Sequence, residues 1–493
     1  MARSIAIWLV SAIVLSLIGF LALKKSQQDV VLRRLRIGRR NASRPSTPLL
    51  EKQGVSKPPA SSKADVFSTL PPSQRGQLKK MKESMPIAQQ KALGELAFDT
   101  NIFARSLLKL DEDYRTADDS KYCYSGFSVR ELKALGDFPD YSVLSEVPKP
   151  QPYLEFDINK AKPRPYRPFR WAYHQTMSLT KLETDWWIEL ESTYKTRIAQ
   201  RKELYAKHGG SVLGWLPGSE LACKELMEMV LQFICNRYPQ YFVLSEDKSR
   251  LENKILGTVS VIKEKHPLLI LLDNVPEDFG ITVRDSETGY YHLRAGMICS
   301  ALGWNVGTKI GLKLHEIHTP IPDYKEKMQF SMDRFFSKMP ASKPIQRGSW
   351  GLEVDQPLYM PPGDPHEAYR ESQDPNLTRD RLHLRVDWQT LRRLPLSGAI
   401  VFNFKALFTP IEEFRDEPYV PSLIKKVLKE GKENLMKYKN TWHTEHVVIP
   451  ALEEYEKEQI EKGLIEKDWE PKTLDDSPWF PGWQEKWHAQ QGF

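Results

Sequence analysis

Regular alternation of apolar and polar residues predicts a β-strand over residues 382–391, which read LHLRVDWQTL. Four apolar residues alternate there with four polar ones: Leu382, Leu384, Val386 and Trp388 against His383, Arg385, Asp387 and Gln389. The run AIVFNF follows after RRLPLSG and predicts the partner strand of a β-hairpin. The polar face of this strand is either solvated or lines a site that holds an anion.

The remaining patterns predict helices and strands in mixed order. Helical spacing of apolar residues predicts a long helix over residues 182–208 and a second over residues 219–236. Apolar runs predict strands near Gly257, Leu268, Ile281 and Tyr290, with SETG as the turn between the last two. Further helices are expected from about Gly307 to His315 or His318, near Met332, and in the charged C-terminal part. We therefore expect an α+β fold, an antiparallel sheet with flanking helices.

An uncharged segment near the N-terminus predicts a membrane anchor. Residues 5–23, IAIWLVSAIVLSLIGFLAL, would form a helix of about 28 Å, close to the thickness of the bilayer core. A cleaved signal peptide is the alternative, but its apolar region is usually shorter. Basic residues follow the segment, from Lys24 to Arg40, and predict that the body faces the cytosol from an endomembrane such as the endoplasmic reticulum. The sequons at Asn41 and Asn376 would then be unused.

Composition divides the chain into five parts. We expect a transmembrane anchor at 1–25, a disordered basic linker at 26–70, a lead-in segment at 71–168, a main domain at 169–416 and a C-terminal helical extension at 417–493. The net charge of +7 is concentrated in the early basic block, so the body shows no basic face typical of nucleic-acid binding. The four cysteines, Cys123, Cys223, Cys235 and Cys299, have no CxxC spacing, and scattered free thiols are typical of a reducing compartment.

Several residues could carry chemistry, each with a plain alternative. His315 and His318 lie three apart before TPIP; they could form a metal pair, His318 could be an axial ligand, or it could cap the helix. Glu277 and Asp278 follow an apolar run and could serve acid–base work or a turn. The acids of LDEDY, Asp111 and Asp113, could hold a nucleotide-sugar metal in a lumenal glycosyltransferase.

Seven stretches together resemble the haem-dependent oxidative N-demethylase alpha-subunit-like family, in a fungal, membrane-anchored form. The most specific are IHTPIPDY and QTLRRLP; the supporting ones are LETDWWIELESTYKTRIAQRKEL, ELMEMVLQFICNRYPQYF, VPEDF, DRFF and RGSW. The likeness covers about residues 169–414. It implies a PAS-like sheet-and-helix fold that binds haem b and oxidises a small secondary amine.

The resemblance also implies roles for residues and partners. His318 becomes the axial ligand of the haem iron and its metal-binding residue. The candidates for pairing with haem propionates are Arg347, Arg385, Arg392 and Arg393, and those for proton delivery or for holding an amine are Glu277, Asp278 and Asp387. Because the chain has no GxGxxG motif and no cysteine quartet, electrons would come from a flavin or iron–sulfur reductase at the membrane. A PAS-like sensor or scaffold that binds haem or a lipid without turnover is the alternative function.

This sequence departs from the family pattern at the presumed pocket. The usual Val-Glu-Arg before QTLRRLP is Val386-Asp387-Trp388 here, and the usual Arg-x-Asn-Trp is Arg347-Gly348-Ser349-Trp350. The shorter acid and the missing arginine change the charge that the pocket offers to an amine.

Overall fold

The structure, a computed structural model, describes residues 107–172 and 177–492. The predicted anchor and basic linker, and residues 71–106 of the lead-in segment, lie outside the described residues. None of the helices within the described ranges combines the length and apolar character that a membrane crossing requires.

A seven-stranded antiparallel sheet forms the centre of the fold, in the order β1-β8-β9-β10-β6-β7-β2, and β3-β4-β5 form a second, three-stranded sheet. The strands are β1 Thr180–Lys181, β2 Leu213–Trp215, β3 Phe242–Leu244, β4 Arg250–Asn253, β5 Thr258–Val261, β6 Asp278–Arg284, β7 Tyr291–Met297, β8 Ile345–Val354, β9 Leu382–Arg393 and β10 Ile400–Pro410. The predicted α+β class with an antiparallel sheet is therefore confirmed.

The helices surround this sheet. They are α1 Val129–Leu135, α2 Tyr141–Ser145, α3 Tyr194–His208, α4 Glu220–Arg237, α5 Pro267–Asn274, α6 Leu314–Ile317, α7 Gln329–Lys338, α8 Val420–Glu430, α9 Glu433–Lys439, α10 Trp442–Glu461 and α11 Trp483–Gln491. A single π-helical turn, Tyr324–Met328, runs directly into α7.

The register of the central strands defines two faces of the sheet. Arg347 of β8 lies opposite Gln389 of β9, which lies opposite Phe404 of β10. Since residues paired across antiparallel strands project to the same side, we call this side face A; on β9 it carries Arg385, Asp387, Gln389, Leu391 and Arg393. Face B carries the intervening residues of β9, which are Leu384, Val386, Trp388, Thr390 and Arg392.

Apolar clusters cover both faces. On face B, α8 and α10 pack on Leu384, Val386 and Leu407, and each fully buried leucine contributes about 1.5–3 kcal/mol. Elsewhere on face B, Val401 packs in a second cluster with side chains of α4. On face A, Leu391 and Ile400 pack against the Tyr324 turn and α7. The C-terminal helices thus share a core with the sheet.

A buried carboxylate fixes the turn between β9 and β10. The backbone N–H groups of Leu396 and Ser397 donate to the two oxygens of Glu225 on α4, at 2.5 and 2.8 Å. Burial raises the pKa of Glu225 to about 7. The contact anchors the hairpin on α4.

One predicted element is wrong in type, and two predicted helices are wrong in their bounds. The run LLILLDN near Leu268 forms α5 rather than a strand, because Pro267 starts a helix and His266 caps it. The long helix predicted over 182–208 begins only at Tyr194, after a 3-10 turn at Thr184–Trp186. The helix predicted from Gly307 to His318 is confined to α6.

Candidate functional site

His318 follows the short helix α6 and presents one imidazole nitrogen for binding. Its Nδ1 lies 2.6 Å from the carbonyl oxygen of Leu314, and because a carbonyl only accepts, Nδ1 must carry the proton. Nε2 then has a free lone pair, and no described residue hydrogen-bonds to it. Burial, more than the charges of Arg347 and Lys309, lowers the pKa of His318. This neutral tautomer is the form that binds a metal.

The ring of His318 is also held in place. It stacks on Tyr324, with 5.0 Å between ring centroids and 7° between planes. Tyr324 is buried on face A among apolar side chains of its own turn and of α7, including Met328 and Met332. The IHTPIPDY stretch therefore folds back so that its last residue supports its histidine.

Face A supplies a floor beside His318. Arg347 is close enough for its positive charge to lower the pKa of His318. Asp387 lies opposite Ser349 in the register, and Phe404 lies opposite Gln389. The floor thus combines a cation, a carboxylate and an amide with the apolar rings of Phe402 and Phe404, whose centroids are 5.4 Å apart.

The helix α9 forms a second wall of this floor. Lys439 Nζ donates to the carbonyl of Trp350 at 2.7 Å and to Ser349 Oγ at 3.4 Å. Burial first, and then the charge of Arg347, lower the pKa of Lys439 to about 7. At the start of this wall, Lys432 forms a 2.6 Å ion pair with Asp323, next to Tyr324. This exposed ion pair joins the start of α9 to the segment that carries His318 and Tyr324.

Arg385 and Asp387 are paired with each other. The Nε and Nη2 atoms of Arg385 donate to Asp387 Oδ1 at 3.1 and 3.0 Å, and the rest of the guanidinium donates to the carbonyls of Pro357, Leu358 and Ser300. Burial raises the pKa of Asp387, whereas the charge of Arg385 acts to lower it. Oδ2 of Asp387 receives no hydrogen bond from the residues that the structure describes.

Asp278 supports this pair from below. It forms a buried 2.5 Å ion pair with Arg201 and accepts from the backbone N–H of Cys299 at 2.9 Å and of Ser300 at 2.8 Å. The hydroxyl of Ser300 also donates to it. Since the carbonyl of Ser300 binds Arg385, a continuous chain of contacts links Asp278 to Asp387.

Glu277 lies apart from this network. It accepts from Asn403 at 2.6 Å, on face B, and from the backbone of Glu189 at 3.1 Å. Burial raises the pKa of Glu277 to about 7. It borders a cavity of about 10 Å³ with Trp187 and Lys405, enough for one water molecule.

The last two arginines are also placed away from His318. Arg393 is buried and donates to the carbonyls of Met339 and Gly398 and to the hydroxyl of Tyr291, at 2.6, 2.7 and 2.9 Å. Arg392 is on face B, with its guanidinium carbon 3.9 Å from the ring centre of Trp187. Burial lowers the pKa of Arg392 to about 9.

The structure therefore brings together three of the eight predicted residues on one floor, His318, Arg347 and Asp387. Arg385 and Asp278 position Asp387. Arg392, Arg393 and Glu277 have other surroundings. Lys439 was missed, because NLMKYK reads as an ordinary exposed helix end and carries no sequence signal of a site.

The departures from the family pattern fall on both faces. Trp388 projects from face B, away from His318, and its indole N–H donates to Gln346 at 3.0 Å. Gly348 also belongs to face B, where a Cβ atom would lie 2.6 Å from the ring of Tyr166. Only Asp387 and Ser349 change the floor beside His318.

The alternative metal sites have little support from local geometry. His315 packs edge-on against Tyr290 at 5.7 Å. Asp113 pairs with Arg115 at 2.6 Å, so its charge is already neutralised locally. Within the described ranges, no group of three or more His, Cys, Asp or Glu side chains could hold a metal ion.

A family model matches more than half of the chain. It covers residues 178–449 and describes the haem-dependent oxidative N-demethylase, alpha subunit-like. The matched range includes His318, the floor on face A and the whole of α9. The chain belongs to the haem-dependent oxidative N-demethylase, alpha subunit-like, family.

Proposed function

We propose that this protein is a haem-dependent oxidoreductase whose iron is bound by His318. The observation that carries the proposal is the hydrogen bond from His318 Nδ1 to Leu314, which leaves Nε2 unprotonated beside an aromatic floor. Residues Phe402 and Phe404 offer apolar surface to a porphyrin, and Arg347 offers a cation to a propionate. The residues present fit a haem.

The reaction that fits this site is oxidative demethylation of a small amine. The haem supplies oxygen activation when it is bound. Overall, the methyl carbon is oxidised to formaldehyde and oxygen is reduced to water, with two electrons and two protons from outside. Those electrons would come from a separate flavin or iron–sulfur reductase, and an N-terminal anchor would keep the protein near a membrane-bound one, with its body in the cytosol.

Asp387 is the residue proposed to face the amine. Arg385 occupies only Oδ1, so Oδ2 remains able to accept a hydrogen bond from an amine N–H. Burial raises the pKa of this carboxyl, which makes proton transfer near neutral pH easier. The chain of contacts through Ser300 to Asp278 keeps the carboxyl in position.

Haemin titration of the purified full-length protein tests the haem site. We expect a Soret band in the unaltered protein and in His315→Ala, and a lost or shifted band in His318→Ala. His315 is a matched control, since it is an imidazole on the same short helix. A His318→Ala variant that takes up haemin with an unchanged spectrum would disprove the assignment.

Turnover separates the enzyme from a sensor. With haem bound, a flavin reductase added and a secondary methylamine present, the enzyme consumes oxygen and releases formaldehyde. Asp387→Asn should keep the Soret band and lose formaldehyde release. Haem binding with no oxygen consumption for any methylamine would favour the PAS-like sensor instead.

A further inference from the structure

Lys439 is an ammonium without a carboxylate of its own. Its two hydrogen-bond partners, the Trp350 carbonyl and the Ser349 hydroxyl, are both neutral. No carboxylate in the described part of the chain lies within ion-pair distance of its Nζ. A partly desolvated cation with only neutral partners is more stable when an anion approaches it.

The surroundings of Lys439 add positive charge rather than remove it. Arg347 is near enough to destabilise the cationic form of Lys439, and Asp387 stabilises it less. The carboxylate of Asp387 is bound by Arg385, so its charge is largely neutralised. The space between α9 and face A is therefore positive, and it favours a molecule that brings carboxylates.

The position of Lys439 relative to His318 fits this requirement. Arg347 and Ser349 are two residues apart on β8 and project from the same face A, and Lys439 Nζ contacts Ser349 Oγ at 3.4 Å. Lys439 is the last residue of α9, and the helix is fixed at its other end by the Lys432–Asp323 ion pair beside the His318 segment. Two cations thus lie at the same part of β8: Arg347 on the strand itself, and Lys439 at the end of α9, where it contacts Ser349 and Trp350.

We propose that Lys439 is a cofactor-binding residue, whose ammonium pairs with a carboxylate of the porphyrin next to Arg347. The inference rests on the proposed function and adds a second propionate partner in place of Arg385, Arg392 and Arg393. Those three guanidiniums are engaged by carbonyls, by Asp387 or by Trp187. Lys439 holds β8 only through neutral groups: its Nζ donates to the Trp350 carbonyl at 2.7 Å and lies 4.8 Å from the centre of the Trp350 ring.

The test is a haemin titration of the full-length protein in which both partners of the contact are changed. Lys439→Gln removes the charge, Lys439→Arg keeps it, and Lys437→Gln removes an exposed lysine from the same helix as the control. Each variant is titrated with haemin and with haemin dimethyl ester, whose propionates carry no charge. Thermal melts of each variant without haem report whether α9 still folds.

We expect Lys439→Gln to weaken haemin binding by about 10-fold or more, the effect of one charge-assisted hydrogen bond. The ester should bind this variant and the unaltered protein equally, and Lys439→Arg should restore most of the haemin affinity. Equal haemin affinity in Lys439→Gln, or an equal loss for haemin and ester, would overturn the inference while leaving His318 untouched. Failure of the unaltered protein to take up haemin would overturn the proposed function as well.

A carboxylate of the substrate is the other possible source of the same chemistry. If Lys439 binds it, Lys439→Gln leaves haemin affinity unchanged and weakens the spectral response to N-methylglycine but not to dimethylamine. That pattern would also overturn the assignment to the porphyrin.

Discussion

Replacing Asp278 by asparagine tests whether this carboxylate supports the fold or performs chemistry. The change keeps the shape and one acceptor oxygen but removes the negative charge opposite Arg201. The pair is almost fully buried, with 2% exposure of the Arg201 side chain and none of the Asp278 side chain. Asp278→Asn therefore leaves a buried guanidinium without its counter-ion, and it turns an NH2 group toward donors at Cys299 or Ser300.

The expected magnitude follows from this geometry. Breaking a buried ion pair by removing one partner costs about 3–5 kcal/mol. The described ranges hold roughly 380 residues, and at about 2.1 cal/mol/K per residue the unfolding entropy is near 0.8 kcal/mol/K. The melting temperature should then fall by about 4–6 °C.

The assay is thermal unfolding followed by circular dichroism, with Asp273→Asn as the control. Asp273 is a carboxylate of α5 whose lysine partners Lys202 and Lys265 are half exposed, so its loss should cost about 0–1 kcal/mol. A melting temperature of Asp278→Asn within 1 °C of the unaltered protein would refute the structural reading. It would return Asp278 to the group of residues available for proton transfer.

Three further predictions follow from buried groups. Arg392→Met should raise the free energy of unfolding in urea by about 1–4 kcal/mol, because the guanidinium is buried without a carboxylate partner. A large decrease would contradict this and would mean that the guanidinium donates to an acceptor group in the folded protein. The pKa of Glu225 is raised to about 7, so the folded state binds this proton more tightly than the unfolded state, and the free energy of unfolding should fall by about 3 kcal/mol as pH rises from about 4.5 to 7. Glu225→Gln should remove this part of the pH dependence of the unfolding free energy, and an unchanged pH dependence would contradict the prediction. Burial raises the pKa of Cys223, Cys235 and Cys299 alike to about 12, so exposure decides their order of reaction with Ellman's reagent. The partly exposed Cys235 should react first and the buried thiols only in denaturant. Fast reaction of all four thiols in the folded protein would contradict this.

The sequence predicted the hairpin well because its signal is local. Alternation fixes which residues of β9 share a face, and the register confirms that Asp387 and Arg392 are on opposite sides. The run LLILLDN had no such signal, since an apolar stretch of this length fits a buried strand or a buried helix. There the proline at the first helical position decided the outcome.

The site was harder to predict because the role of an arginine depends on what packs on it. Arg385, Arg392 and Arg393 all belong to β9, yet one binds a carboxylate, one stacks on an indole and one caps carbonyls near the end of α7. Trp187 and Met339 come from distant parts of the chain, whereas Asp387 is two residues from Arg385 on the same strand. Spacing along β9 could therefore reveal the Arg385–Asp387 pair but not the partners of Arg392 and Arg393.

The same reasoning explains why the positive charge of the site comes from β8 and α9. On β9, Arg385 and Arg393 cannot turn toward a ligand without leaving Asp387 or buried carbonyls unpaired, and Arg392 projects from face B, away from His318. When Lys439 turns it gives up two neutral acceptors, the Trp350 carbonyl at 2.7 Å and Ser349 Oγ at 3.4 Å, but no carboxylate. A cation that can exchange a weak contact for a carboxylate is suited to binding, whereas a cation that completes the core is suited to folding. Whether a cation of this protein is suited to binding or to folding therefore depends on the groups that it contacts in the fold, and not on the sequence motif in which it occurs.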